Sequence, residues 1–156
     1  MKDMIISFLI LAATSVSYAR PSHEHRGTAH LEFANGAIHA HATWIQGPQL
    51  SPGESILQLE WKNGADHSPV EPPGIFKLAL WMPHSDPGLS HGSAPTRIRQ
   101  VLDNNGQPLP GVYEVYRIYF TMGGKWDVNV TLKHADGSEE TKTIKVELNE
   151  GGGHRH

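Results

Sequence analysis

The sequence predicts an all-β protein, an immunoglobulin-like antiparallel β-sandwich of about seven to eight strands. Three observations carry that prediction. Apolar and polar residues alternate with period two in one short segment after another. Turn signals such as Asn-Gly, Asp-Gly and Gly-Gly separate these segments, at a spacing of roughly 8–12 residues. Beyond residue 19, no segment repeats its apolar residues with the period of a helix.

The first residues read as an export signal. Lys2 supplies a minimal positive region, residues 4–16 form an uncharged apolar run, and Ser17-Tyr18-Ala19 offers the small residues a signal peptidase reads. The run falls short of the roughly 20 apolar residues that span a membrane. Residues 1–19 are therefore expected to be a cleaved signal peptide, and the mature chain periplasmic or secreted. Residues 20–29 read as a polar, flexible arm. Residues 30–149 form the domain, and residues 150–156 a glycine-histidine tail.

Within the domain, residues 31–34 lead into Asn35-Gly36, a strong two-residue hairpin signal. In residues 37–46, Ile38, Ala40, Ala42 and Trp44 share one face, and His39 and His41 the other. Residues 55–62 place Leu57, Leu59 and Trp61 together, with Gln58, Glu60 and Lys62 opposite. Residues 75–82 align Phe76, Leu78, Leu80 and Met82. A Pro/Gly/Ser-rich loop fills residues 83–95. Residues 96–102 form a strand that ends at Asp103-Asn104-Asn105-Gly106. Residues 112–122 read as one long strand, with Tyr116, Ile118, Phe120 and Met122 in register and a tight Gly123-Gly124 turn after them. Trp126, Val128, Val130 and Leu132 then alternate with polar residues, and Asp136-Gly137 leads to a last strand with Ile144, Val146 and Leu148.

Composition narrows the chemistry. The chain has no cysteine, so neither a disulfide nor a thiolate metal site can form. Its net charge is −3 with both signs interspersed, which argues against a nucleic-acid partner, since that binding uses a basic stripe. No second apolar run of membrane length follows the signal peptide, so the mature chain is expected to have no membrane span. The 11 histidines and 4 methionines are the available borderline and soft ligands.

Four groups of these residues can be weighed. Met82, His84 and His91 lie on or beside the 83–95 loop, and Met122 lies at an expected hairpin end. A sandwich gathers such strand ends at one pole, and a mixed His/Met set suits Cu(I) while its imidazoles also serve Cu(II). His39 and His41 share a strand face about 6.5–7 Å apart, a two-ligand start for Cu(II) or Zn(II) on a surface expected to be solvent-exposed. His23 and His25 of the polar arm, grouped with His30 just beyond it, and His154 and His156 of the tail read as incidental. His67 and His134 lie in or beside turns and receive no role. Asp86 could join His84 and His91 in a hydrolytic zinc site, but a loop holds catalytic geometry poorly. No cysteine nucleophile or nucleophile elbow is present, and the chain is read as no enzyme.

One stretch carries a family pattern. A strand ends in Met82-Pro83, a loop carries His91-Gly92, and a Tyr-rich strand reaches Phe120-Thr121-Met122-Gly123-Gly124, followed by Trp126. Over roughly residues 54–148 the chain resembles the FixH/YtkA-like domain of exported and membrane-tethered bacterial proteins. The resemblance implies an immunoglobulin-like sandwich in a copper-handling or oxidase-assembly context. Met82, His91 and Met122 match the family's ligand pattern. His84 and Leu89 stand where a further methionine is expected, which moves the site toward histidine.

The expected function is thus a periplasmic protein that binds copper, with zinc ranked behind it, and buffers or delivers the ion. Met82, His84, His91 and Met122 form the principal expected site, and His39 and His41 the second. The expected partners are the metal ion and an envelope copper protein or oxidase subunit. Protonation of imidazole below about pH 6 should release the metal. The alternative is an interaction module that assists an envelope or oxidase complex and holds no metal.

Overall fold

The computed structural model describes residues 28–85 and 91–149. Nine strands run in the order β1 (Thr28–Phe33), β2 (Ile38–Gln46), β3 (Ser55–Asn63), β4 (Gly74–Met82), β5 (His91–Gly92), β6 (Arg97–Leu102), β7 (Pro108–Ile118), β8 (Gly124–His134) and β9 (Glu139–Leu148). One sheet has the order β1-β2-β3-β7-β6 and the other β5-β4-β8-β9, with every neighbouring pair antiparallel. This is the sandwich the sequence predicts. The strand beyond the expected eight is β5, a two-residue strand inside the 83–95 loop.

The alternating strands bury the faces their patterns mark. Leu57, Leu59 and Trp61 of β3 meet Trp126, Val128, Val130 and Leu132 of β8, all 0–1% exposed. Aromatic rings fill the two ends of this core. Phe33, Trp61, Phe76 and Tyr113 pack in succession at the end where the β1–β2 and β3–β4 connections lie, with centroids 5.2–5.3 Å apart. Trp44, Phe120 and Trp126 do the same at the other end, at 6.1 and 5.6 Å. Such tilted and edge-on pairs match the ring quadrupoles and add to the area they bury.

Two expectations change. Residues 112–122 are not one regular strand joined to β8 by a hairpin. A bulge opposite Ser55–Leu57 pairs Ser55 with Ile118 but Leu57 with Val115, and Arg117 sits at φ 59. The extra residue breaks the alternation, so Val115, Ile118 and Phe120 are buried while Tyr116 lies on the outer face under Arg99. The chain then leaves the first sheet, and β8 begins in the second. Gly123-Gly124 is therefore a crossing between sheets. The second change is at the arm, because Thr28 and Ala29 are already the first residues of β1. The expected signal peptide, residues 20–27 of the expected arm, Asp86 and the tail at 150–156 lie outside the described residues. No helix among the described residues is long and apolar enough to cross a membrane.

Candidate metal centre

The β1–β2 hairpin builds the site. Its connection is a tight turn at Ala34–Gly36, closed by Ala37 N–H donating to Ala34 C=O at 3.1 Å, with Ala34, Asn35 and Gly36 all at positive φ. That turn sets the register, and His30 falls opposite His41 while Glu32 falls opposite His39. On the next strand Glu60 lies opposite His41 and Lys62 opposite His39. Residues directly opposite in an antiparallel pair project from the same face, so two rows run across the outer surface of this sheet. One row is His30, His41 and Glu60, and the other is Glu32, His39 and Lys62.

The His30 ring closes the gap between the other two. Its centroid is 4.5 Å from that of His39 and 4.7 Å from that of His41. One ligand nitrogen from each of His30, His39 and His41 lies within 4.8 Å of the others. A tetrahedral ion with metal–nitrogen bonds of about 2.0–2.1 Å holds its nitrogens about 3.3–3.4 Å apart. Rotations of the side chains that move each nitrogen by about 1 Å bridge that difference. Metal-ligand nitrogens must be unprotonated, and the surroundings favour this at His41. Burial holds its imidazole below the ordinary value, and the charge of Lys62 adds to the effect.

The expected exposure of this face does not hold at its centre. His39 is only 9% exposed, its ring packed against those of His30 and His67. Three buried side-chain polar atoms among the described residues have no hydrogen-bond partner, and two of them are His39 Nδ1 and His41 Nε2. A buried polar atom left unpaired costs about 1–3 kcal/mol, so such atoms call for a reason. A bound cation would supply one. Lys62 Nζ is 3.2 Å from Glu60 Oε2 and His30 Nε2 is 3.8 Å from Glu32 Oε1, so with the imidazoles neutral as ligands the two carboxylates and one ammonium carry a net charge of −1 beside the cluster.

The turn after β3 walls this site. Gly64 N–H donates to Ala37 C=O at 2.8 Å. A Cβ on Gly64 would lie 1.8 Å from the Gly36 carbonyl oxygen, so only glycine lets the two turns approach this closely. His67 rides on that turn, with its ring centroid 5.6 Å from that of His39.

The expected principal site lies at the opposite end of the sandwich. Met82, the last residue of β4, pairs through its backbone with His91 of β5. Its Cε is 3.1 Å from where a Cβ on Gly124 would stand, two residues beyond Met122. Met122 is 39% exposed, and its carbonyl accepts a 3.0 Å hydrogen bond from Trp126 Nε1. Met82, His91 and Met122 are thus brought to one pole, and His84 stands exposed two residues beyond β4. His39 and His41 are not part of that group. They join His30, grouped by its sequence position with the arm histidines, and His67, to which the sequence assigns no role.

The fold has a counterpart among solved structures. The chain is similar to a DUF4426 family protein from Pseudomonas aeruginosa PAO1, known from a crystal structure, at 12% identity and a TM-score of 0.50. The match covers 80% of this chain and 98% of that one, and at this identity it shows the fold alone. No family model matches the chain, and no curated protein does.

Proposed function

We propose that this chain is an exported, non-catalytic metal-binding protein that holds one divalent transition ion on His30, His39 and His41, Cu(II) ahead of Zn(II). One observation carries the reading: three imidazole nitrogens from two paired strands converge within 4.8 Å of one another. The two unpartnered nitrogens buried in the same cluster support it. Imidazole suits both ions, and at a given nitrogen site Cu(II) binds more tightly than Zn(II). No thioether belongs to this cluster, so it lacks the soft ligands that select Cu(I). The export signal supports an envelope location, where an ion-buffering or delivery role fits binding without turnover. The test is a chelator-competition titration with Cu(II) and with Zn(II). It is run in a chain whose tail histidines His154 and His156 are alanine, so that tail binding does not obscure the result. His30→Ala should weaken binding at least about tenfold, as losing a ligand or its support does. Unchanged affinity would refute the assignment.

The methionine pole supports a second, softer site of Met82, His84, His91 and Met122. The Met82–His91 pairing and the seat of Met82 beside Gly124 favour it. Cu(I), not Cu(II), is its natural ion. Met82→Leu with Met122→Leu should lower Cu(I) affinity and leave Zn(II) binding unaltered.

A further inference from the structure

The three-histidine cluster leaves one position of a four-coordinate ion unfilled, and the β3–β4 turn carries a fourth imidazole to its edge. We infer that His67 is the fourth protein ligand, which makes the site a closed four-histidine centre; this rests on the three-histidine reading above.

The turn is built to hold that residue in place. Asn63 N–H donates to Ser68 C=O and His67 N–H to Asn63 C=O, each at 2.9 Å. Asn63 Oδ1 accepts from Ala65 N–H at 2.8 Å, and Asp66 Oδ1 accepts from Ser68 N–H at 3.0 Å and from Ser68 Oγ at 2.6 Å. Lys62 bridges to Pro69 beyond the turn. Inside this frame His67 adopts φ 57, a left-handed conformation that non-glycine residues seldom take. The backbone thus sets His67 against His39, while its exposed side chain keeps the rotations needed to swing the ring inward.

Glu32 is the rival for the fourth position. Its carboxylate lies 3.8 Å from His30 Nε2, beyond hydrogen-bond reach but near enough to orient His30 through its second nitrogen once that ring turns onto the ion. His67 has an imidazole like the other three and no such engagement with His30. A site closed by four protein ligands has no open position for a reacting water, which separates storage and delivery from hydrolysis.

The test uses the full chain with His23, His25, His154 and His156 changed to alanine. His67→Asn and His67→Gly are compared, because both residues tolerate positive φ and keep the turn intact. Zn(II) affinity is read by chelator competition, and the number of bound imidazoles by X-ray absorption of the Zn(II)-loaded chain. The expected result is a loss of affinity of about tenfold or more in both variants, on the scale set by metal-site substitutions. The imidazole count should fall from four to three. An unchanged affinity and count, with His30→Ala still disabling binding, would overturn the role of His67 alone. A larger loss in Glu32→Gln than in either His67 variant would assign the position to the carboxylate and overturn it too. If His30→Ala also binds normally, the three-histidine reading fails first and this one with it.

Discussion

Replacing His39 with phenylalanine should make the metal-free protein more stable and the metal-loaded protein less so. His39 is 9% exposed, and its Nδ1 is buried without a partner. An unsatisfied buried polar atom costs about 1–3 kcal/mol. A phenyl ring removes that cost and keeps the ring packing against His30 and His67, while its slightly different shape gives back up to about 1.5 kcal/mol. The net expectation for His39→Phe is a gain of about 1 kcal/mol, or a rise in Tm of roughly 3–5 °C for a domain of this size. Metal reverses the order. A ligand at 100 times its Kd stabilises the folded state by about 2.7 kcal/mol, roughly 10 °C here, and the variant has lost a ligand. Thermal unfolding followed by circular dichroism, once in EDTA and once in excess Zn(II), reads both effects. The variant should melt higher in EDTA and the wild type higher in Zn(II). A variant that melts lower in EDTA, or that gains as much as wild type from Zn(II), would refute the reasoning.

Two further predictions come from other parts of the fold. Gly64→Ala sets a Cβ 1.8 Å from the Gly36 carbonyl oxygen and forces the two turns apart. It should cost about 1–3 kcal/mol by denaturant unfolding and also weaken Zn(II) binding, because the turn it displaces carries His67. The Tyr113 phenol has its pKa pushed up to about 12, first by burial and then by its hydrogen bond to Glu71. The raised value means the neutral phenol is favoured in the fold. Its contribution to stability is whole below pH 10 and is lost as pH rises toward 12, so absorbance at 295 nm should show a late-ionising tyrosine. Glu71→Gln should shift that ionisation to lower pH.

The strands were legible because a half-buried strand writes its burial in alternate residues. Leu57, Leu59 and Trp61, and Trp126, Val128, Val130 and Leu132, lie buried as their pattern marks them. The passage from β7 to β8 was not legible. Residues 116–122 alternate well enough to look like one strand, and only the bulge at Arg117, set by pairing with β3, shows that the alternation slips. The metal centre was half legible. His39 and His41 share a face by period alone, but their burial comes from His30 and from a turn far along the chain. His30 is hard to place from sequence because Thr28 and Ala29 read as a continuation of the polar arm. The signal was available in the hairpin: centring the turn on Asn35-Gly36 pairs Ala34 with Ala37 and, counting outward, His30 with His41, the pair observed. No comparable count reaches His67, whose position depends on how one turn packs against another.

The central claim is a place as much as a function, and anomalous diffraction from crystals grown with Zn(II) or Cu(II) tests it most directly. The expected result is a peak on the outer face of the β1–β2 hairpin, about 2.0–2.1 Å from a nitrogen of each of His30, His39 and His41. Strong peaks only elsewhere, beside Met82 and Met122 or at the chain ends, with none among these three histidines, would contradict it.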